Sequence, residues 1–256
     1  MTEHTNAPLT VALSSGKGGV GKTTLSVNLG MTLACMGRRV LVVDGDLGLA
    51  NVDILLDIDV EANIRDVLDE GADPMSVVVE VEEGFSILPA SSGVVEMVQL
   101  GADEQEAFEE VLRNLGKNFD LVLVDTAAGI GRDVLWFNTF VDQNVVVLTP
   151  DPTAVTDAYA LMKVLRQEHD RGPFFCVVNN ANTTEEGERI ARGITEVAER
   201  FLEVEVNVLG VVQSDDHVRA ALRDKTPCVK KSPDCPMARE LQVIAEALLE
   251  RCSVAG

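Results

Sequence analysis

A glycine-rich segment, Gly16-Lys-Gly-Gly-Val-Gly-Lys-Thr23, has the spacing G-x-x-x-x-G-K-[ST]. Glycines at these positions let the backbone curve until its N–H groups and the following helix N-terminus face phosphate oxygens. Lys22 is then placed to contact the β- and γ-phosphates, and the Thr23 hydroxyl to coordinate magnesium. We expect the phosphates to be held by Gly16, Gly18, Gly19, Val20, Gly21, Lys22, Thr23 and Thr24.

Two predicted strands end in carboxylates. Residues 40–43 are followed by Asp44 and Asp46, and residues 121–124 by Asp125. Ligands of open parallel sheets bind at the carboxyl ends of the strands, so these groups are expected beside the glycine-rich segment. Asp125 would hold magnesium through its waters, while Asp46 would join the metal site and orient an attacking water. An aspartate after a strand is also a common helix N-cap, and that alternative stays open.

The same glycines also fit a second pattern, Gly16-x-Gly18-x-x-Gly21, which is typical of dinucleotide sites. Asp44 would then contact a ribose, as an acidic residue after the second strand does in such sites. The pair Lys22-Thr23 decides between the two, because a dinucleotide pyrophosphate needs neither a lysine nor a magnesium-binding hydroxyl there. The segment therefore favours a nucleoside triphosphate over a nicotinamide or flavin dinucleotide.

Short apolar runs without alternation indicate strands that are covered on both faces, as in a parallel sheet. They lie at residues 9–13, 40–43, 121–124, 145–148, 174–178 and 208–212. Helical spacing covers residues 23–36, 105–115, 154–166 and 185–201. This alternation predicts an α/β fold: a doubly wound, mostly parallel sheet with helices on both faces. No linker or repeat divides the chain, so we expect a single P-loop domain over residues 1–256.

Charge and cysteine content disfavour several classes of protein. The chain has 42 acidic and 21 basic residues, and its net charge of −21 disfavours direct binding to nucleic acid and weakens binding to anionic membranes. The five cysteines lack a C-x-x-C pair, which indicates free thiols; they are Cys35, Cys176, Cys228, Cys235 and Cys252. A metal site that joins Cys228 and Cys235 across a dimer is the alternative. Neither a signal peptide nor an apolar run of membrane-spanning length is visible, so we expect a cytoplasmic protein.

Residues 17–24 resemble the deviant Walker A motif of the MinD/ParA group of ATPases, whose additional lysine falls at Lys17. The similarity extends over almost the whole chain. Residues 44–51 resemble the switch I region of that group, residues 125–130 switch II, and residues 150–161 the segment after the next strand. Within the group, residues 46–53, 88–93 and 153–159 are most similar to the flagellar number regulators FlhG, FleN and YlxH.

The resemblance implies a magnesium-dependent ATPase that converts ATP to ADP and phosphate and forms an ATP-dependent homodimer. Lys17 would cross the dimer to the partner's phosphates and act in catalysis with Lys22 and Asp46. Asn179 would contact adenine, although an ordinary turn asparagine is an equal alternative. Asp215 occupies the acidic position of the group's I-P-x-D pattern, but Gln213 stands where the group has proline.

The implied function is a dimerising ATP switch that regulates flagellar number or placement. Implied partners are an FlhF-like GTPase, flagellar switch components or a flagellar transcription regulator, and a partner would recruit the chain to the cell pole or membrane. Residues 1–10 lack the D-Q-A-x-x-L-R sequence with which such regulators stimulate FlhF. Alternatives are a MinD/ParA-like regulator of cell division or DNA partition, and an iron–sulfur carrier or reductase of the same fold.

The C-terminal helical pattern, residues 238–252, carries an apolar stripe of Leu241, Ile244, Ala245 and Leu248. Related ATPases often end in a basic membrane-binding helix. Here glutamates flank the stripe and give it the wrong charge for anionic lipid. We therefore expect this helix to dock on the core.

Overall fold

The computed structural model describes residues 8–47, 51–60, 62–90 and 101–252. Its strands are β1 (Leu9–Ser15), β2 (Val40–Gly45), β3 (Val79–Glu82), β4 (Phe85–Leu88), β5 (Leu121–Ala128), β6 (Gln143–Leu148), β7 (Phe174–Ala181) and β8 (Val206–Gln213). Its α-helices are α1 (Lys22–Cys35), α2 (Val52–Leu56), α3 (Ile64–Glu70), α4 (Ala102–Gly116), α5 (Arg132–Phe140), α6 (Pro152–His169), α7 (Thr184–Leu202), α8 (Asp216–Arg223), α9 (Cys228–Lys231) and α10 (Pro236–Cys252). A 3₁₀ turn spans Pro74–Val77.

These strands form one sheet in the order β3-β4-β2-β5-β1-β6-β7-β8. Neighbouring strands run parallel throughout it, except that β3 is antiparallel to β4. The chain builds one side of β1 first and then the other, which opens a crevice at the carboxyl end of β1. The prediction of a mostly parallel α/β sheet is confirmed.

Helices cover both faces of the sheet. Successive residues of a strand point to opposite sides, and in the central strands both sets are apolar, so both faces have to be buried. Val11 and Leu13 of β1 belong to a core that α1 and α10 close, whereas Ala12 belongs to a core that α4 and α5 close. A third core lies between β6, β7 and the helices α6 and α7. The central strands are therefore buried on both faces, which explains their continuously apolar sequences.

Buried polar side chains join β1 to its neighbours next to the glycine-rich loop. Ser14 accepts hydrogen bonds from Asn138 Nδ2 at 2.8 Å and from Thr126 Oγ1 at 3.0 Å. Asn144 Nδ2 donates to Asn138 Oδ1 at 3.0 Å, and Arg171 Nε donates to Asn144 Oδ1 at 3.2 Å. Because buried polar groups are costly when unpaired, this network fixes how β1, β5, α5 and β6 sit against one another.

The C-terminal helix docks on the core, as its sequence predicts. Leu241, Ile244, Ala245 and Leu248 of α10 are all fully buried. Gly210 in β8 permits this approach, since a Cβ at that position would lie 2.7 Å from a side-chain atom of Ile244. None of the helices in the described part of the chain combines the length and apolar character that a membrane crossing requires.

Some short elements were not predicted from the sequence. The hairpin of β3 and β4 lies at the edge of the sheet, and β3 alternates valine with glutamate because it is only half covered. The helices α2, α3 and α5 each have nine residues or fewer, which is too short for a strong periodic pattern.

Two glycines of α7 give a matched test of this packing. A Cβ at Gly187 would lie 2.2 Å from a γ-carbon of Val211 in β8, whereas a Cβ at Gly193 would meet nothing within 4 Å. We expect Gly187→Ala to destabilise the protein by about 1–3 kcal/mol through overpacking. Gly193→Ala should stabilise it by about 0.5–1 kcal/mol through helix propensity. Urea unfolding midpoints measure both, and equal shifts would contradict the packing of α7 on β8.

Candidate functional site

The glycine-rich loop spans residues 16–21, between the carboxyl end of β1 and the start of α1. Gly19 and Gly21 have φ angles of 77° and 85°, a region that side chains rarely adopt. Gly16 is required by packing, since a Cβ there would lie 2.1 Å from the backbone oxygen of Asp157 in α6. The loop thus has the backbone that the phosphate-binding motif predicts, with Thr23 and Thr24 in the first turn of α1.

Lys22 forms a buried ion pair with Asp125. Its Nζ lies 3.0 Å from Asp125 Oδ1, and the side chains are 8% and 1% exposed. The same Nζ also donates to the backbone oxygen of Thr126, and Ser26 Oγ donates to Asp125 Oδ1 at 2.8 Å. The lysine of the loop and the acid at the end of β5 are therefore brought together, as predicted.

Asp44 anchors the segment that follows β2. Its carboxylate accepts hydrogen bonds from the backbone N–H groups of Asp46, Asn51 and Val52, at 3.1, 2.9 and 3.1 Å. Burial and the nearby Asp125 raise the pKa of Asp44 to about 7, while the three N–H donors oppose that rise. The sequence indicated a carboxylate at this strand end but not this anchoring role, because the donors lie up to eight residues away.

Asp46 lies one residue beyond β2, whose last two residues are in register with Asp125 and Thr126 of β5. This position brings Asp46 to the same edge of the sheet as the loop and Asp125. Residues 48–50, the middle of the segment that resembles switch I, lie outside the described residues, as do residues 91–93 of the 88–93 stretch.

Lys17 is held within its own chain by the N-terminus of α6. Its Nζ donates to Thr153 Oγ1 at 2.5 Å and lies 3.2 Å from Asp151 Oδ2. Asp151 also caps α6 by accepting from the N–H groups of Thr153 and Ala154. Hydrogen bonds from Thr153, together with those from Lys17 and the helix N-terminus, hold the pKa of Asp151 well below its usual range. This contact could not be predicted from the sequence, because 134 positions separate Lys17 from Asp151.

Asn179 and Asp215 lie on the other side of the loop, where they line a cleft of about 160 Å³ with Gly19, Val20, Gly21 and Thr24. Asn179 Nδ2 donates to the backbone oxygen of Val20 at 2.7 Å, so this side chain supports the loop directly. Asp215 caps α8 and accepts from His217 N at 2.9 Å and Met237 N at 3.4 Å. Burial alone would raise the pKa of Asp215, but these hydrogen bonds lower it below its usual value.

The segment from Gln213 to Asp215 is clamped by residues that the sequence analysis did not identify. Gln213 N donates to Glu240 Oε2, and Gln213 Nε2 donates to Glu240 Oε1 and Thr184 Oγ1, all at 3.0 Å. Burial raises the pKa of Glu240, and Asp215 adds to this effect. A proline at position 213 would have no N–H for the first bond. The departure from I-P-x-D therefore comes with its own set of contacts.

The predicted residues thus fall into two groups around one loop. The first group lies at the carboxyl ends of β1, β2 and β5 and contains Lys17, Lys22, Asp46 and Asp125. The second lies at the ends of β7 and β8 and contains Asn179 and Asp215. An elongated ligand could span the two groups, with its anionic end over the loop and its other end in the cleft.

Comparisons with known proteins identify the relatives of this chain. The ParA family model, described as NUBPL iron-transfer P-loop NTPase, matches residues 6–249. The chain is 36% identical to the antiactivator FleN of Pseudomonas aeruginosa over 92% of this chain and 84% of that protein. It is 32% identical to the flagellum site-determining protein YlxH of Helicobacter pylori, over 94% and 82% of the two chains.

The septum site-determining protein MinD of Pyrococcus horikoshii, solved as a complex with Mg-ADP, has a closely similar structure. Its TM-score is 0.80 at 26% sequence identity, over 97% of this chain and 99% of that one. The family model covers nearly the whole chain, and this relative shares its fold. This chain therefore belongs to the ParA/MinD family of P-loop NTPases.

Proposed function

We propose that the chain is a magnesium-dependent ATPase that works as an ATP-gated dimerising switch in the control of flagellar number or placement. The observation that carries the proposal is the contrast between the two lysines of the loop. Lys22 is buried against Asp125, whereas Lys17 is 39% exposed in a pair with Asp151 that is itself 48% exposed. The first lysine is fixed in place, and the second is free to change partners.

The residues present fit a magnesium nucleotide. Asp44 and Asp125 are buried register neighbours, and Lys22, which pairs with Asp125, is the buried cation beside them in the described part of the chain, so this end of the site has an excess of acidic groups. A divalent cation would neutralise that excess, with Thr23, Asp46 and Asp125 as the residues that would hold it directly or through water. The MinD structure with Mg-ADP supports magnesium and an adenine nucleotide as the ligands.

Magnesium would polarise the phosphate oxygens, and the protein would supply position and charge. The loop from Gly16 to Thr24 would cradle the phosphates, while Lys22 would balance the charge at their end. Asn179 and Asp215 would contact the base in the cleft. Asp46 would orient the attacking water, and closure of a dimer would exclude bulk water from it.

Dimerisation would depend on moving Lys17 from Asp151 to the phosphates of a second copy. Exposed ion pairs are worth about 0–1 kcal/mol, so Lys17 can leave Asp151 and Thr153 at little cost. Two phosphate-bearing surfaces repel each other unless an opposing cation is supplied, and Lys17 would supply it. The nucleotide would therefore convert a lysine held within one chain into a contact between two chains.

The flagellar assignment rests on the names of two relatives, an antiactivator and a flagellum site-determining protein. Partners would be an FlhF-like GTPase, flagellar switch components or a flagellar transcription regulator, and a partner would bring the chain to the pole or membrane. The burial of the apolar stripe of α10 supports weak or no direct membrane binding, and the net charge of −21 disfavours direct nucleic-acid binding. The arrangement of the described strands in one sheet supports a single domain.

An iron carrier is the second candidate, because the matching family model is described by iron transfer. Such a carrier needs paired cysteines that can reach a cluster at the surface. Cys228 and Cys235 do face each other, but both are buried. Iron content of the purified protein separates the two functions, since a switch ATPase needs none and a loaded carrier is coloured.

Lys22 should be required for nucleotide binding even in a variant whose stability is restored. Lys22→Ala leaves Asp125 buried without its cation, which should cost about 3–5 kcal/mol of stability and abolish Mg-ATP binding. The double variant Lys22→Met/Asp125→Asn removes both charges, so it should regain much of the stability but not the binding. Urea unfolding and titration calorimetry measure the two effects. Unchanged Mg-ATP affinity in the folded double variant would contradict the assignment.

Assembly should depend on Lys17 and hydrolysis on Asp46. With Mg-ATP, we expect light scattering to report a monomer for Lys17→Ala and a persistent dimer for Asp46→Ala. Asp151→Asn keeps the helix cap but removes the charge that holds Lys17. It should therefore dimerise at a protein concentration that is lower by up to about fivefold, because an exposed ion pair contributes little.

Thr156→Ala is a suitable control, because the one hydrogen bond that its hydroxyl makes within the described residues is to Pro152 O in the same helix. This variant should dimerise as the wild type does. A dimer of Lys17→Ala, or rapid hydrolysis by Asp46→Ala, would refute the proposed roles.

The hydrogen bonds between Glu240 and Gln213 should affect nucleotide affinity by positioning the segment from Gln213 to Asp215, since neither residue is among the predicted nucleotide contacts. Glu240→Gln replaces one acceptor oxygen with a donor and loses one of the two bonds to Gln213, so Mg-ATP affinity should fall about fivefold, the equivalent of about 1 kcal/mol. Glu246→Gln on the same helix is the control, because Glu246 is exposed and, in the part of the chain that the structure describes, accepts a hydrogen bond from Gln242 alone. Equal calorimetric affinities for the two variants would show that the clamp does not position the cleft.

A further inference from the structure

Two buried cysteines face each other where α9 meets α10. The Sγ atoms of Cys228 and Cys235 lie 3.6 Å apart, and the residues are 1% and 5% exposed. Cys228 is the first residue of α9, and Cys235 directly precedes α10. Neither thiol has a part in the nucleotide chemistry proposed above.

The surroundings of the pair favour thiol chemistry over metal binding. A structural zinc site takes four ligands, whereas the described residues contain no group of three or more His, Cys, Asp or Glu side chains that could hold a metal. A disulfide requires an S–S distance of about 2.0 Å, so the two sulfurs need to approach by about 1.5 Å. Two thiols this close, with no third metal ligand among the described residues, are positioned for oxidation to a disulfide.

We propose that Cys228 and Cys235 form a redox-active dithiol that closes to an intramolecular disulfide and alters the base end of the nucleotide cleft. The oxidant is a small-molecule disulfide such as oxidised glutathione. Cys235, deprotonated, attacks one sulfur of it, which gives a mixed disulfide and releases one glutathione thiolate. Cys228 then attacks Cys235 Sγ and its proton passes to the departing second glutathione thiolate, while the proton that Cys235 lost to water returns to the first. Two protein thiols are oxidised, and one small disulfide is reduced to two thiols.

The order of the two steps follows from exposure. Cys235 is the more exposed residue of the two and follows Pro233 and Asp234, which are both exposed. Cys228 is sealed, and burial together with its hydrogen bond to Cys235 raises the pKa of Cys228 to about 12. Cys228 therefore keeps its proton until Cys235 carries the leaving group beside it.

Each cysteine is next to a group that contacts the nucleotide site. Val229 N donates to Asn28 Oδ1 at 3.1 Å, and Asn28 Nδ2 donates to the backbone oxygen of Thr24 at 2.7 Å. On the other side, Met237 N donates to Asp215 Oδ2 at 3.4 Å, and both of these residues line the cleft.

Closing the disulfide pulls the start of α10 toward α9. Cys235 Sγ then loses the hydrogen bond that it accepts from Ala238 N at 3.4 Å. The hydrogen bond from Met237 N to Asp215, also 3.4 Å long, is the neighbouring contact that this movement would weaken. We expect the oxidised protein to bind Mg-ATP several-fold more weakly. This part of the inference rests on the proposed function, whereas formation of the disulfide does not.

The test is oxidation of the folded full chain with graded mixtures of reduced and oxidised glutathione, without nucleotide. Alkylation and peptide mass mapping should find residues 228 and 235 joined, with no glutathione retained on either. Cys228→Ser should instead stop with glutathione on Cys235, and Cys35→Ser should behave as the wild type does. Both thiols still alkylated at ratios that oxidise the unfolded chain would overturn the proposal. Bound zinc that Cys228→Ser releases would overturn it in favour of a metal site.

Calorimetry with Mg-ATP on the reduced and oxidised forms then tests the coupling. Weaker binding by the oxidised form, restored by dithiothreitol, supports it, and equal binding by both forms refutes the effect on the cleft. If the reduced protein binds no Mg-ATP, the proposed nucleotide function fails, while the disulfide is still judged by the mass map.

Discussion

The buried pair of Lys22 and Asp125 is the interaction on which the rest of the site depends. Removing two charges from water costs several kcal/mol each, and their attraction roughly repays that cost only when geometry and additional hydrogen bonds are good. Ser26 supplies one such bond to Asp125, and the backbone oxygen of Thr126 supplies another to Lys22. The pair adds little net stability, but neither partner can be left alone. It therefore fixes the start of α1 against the end of β5, and with it the curvature of the loop between β1 and α1.

The cost of breaking an ion pair also distinguishes the two lysines of the loop. Lys22 is held where solvent does not screen its charge. Its release would leave the buried carboxylate of Asp125 without a cation, at a cost of about 3–5 kcal/mol. Lys17 sits in a pair that water reaches from both sides, and such pairs contribute about 0–1 kcal/mol. The exchange of partners that we propose for Lys17 requires a charge that can move at little cost. Lys17 meets this requirement at the N-terminus of α6, where Asp151 also caps the helix.

Much of the fold could be predicted from the sequence because buried parallel strands leave a strong pattern, and the glycine-rich loop fixes where the ligand lies. The edge strand β3 left no such pattern, since only one of its faces is covered. Site residues close to the loop in sequence, such as Lys22 and Thr23, were also predictable from spacing. The partners of Lys17 and Gln213 were not, because Asp151 and Glu240 come together with them only through the order of the strands and the docking of α6 and α10. Asp44 was visible as an acid, but its function as an anchor depends on backbone groups that carry no sequence signal.

The two ends of the proposed nucleotide cleft therefore differ in rigidity. The phosphate end rests on strand termini, a buried ion pair and a polar network that reaches Asn138 and Asn144, so it changes little unless the core is disturbed. The proposed base end rests on the segment from Gln213 to Asp215, which is held by one hydrogen bond to Thr184 of α7, two to Glu240 of α10 and one from Met237 N. Any influence on nucleotide affinity from outside the phosphate site acts most easily there. The position of α10 therefore matters for the cleft: its apolar stripe is buried in the core, and Met237 near its start lines the cleft and donates to Asp215.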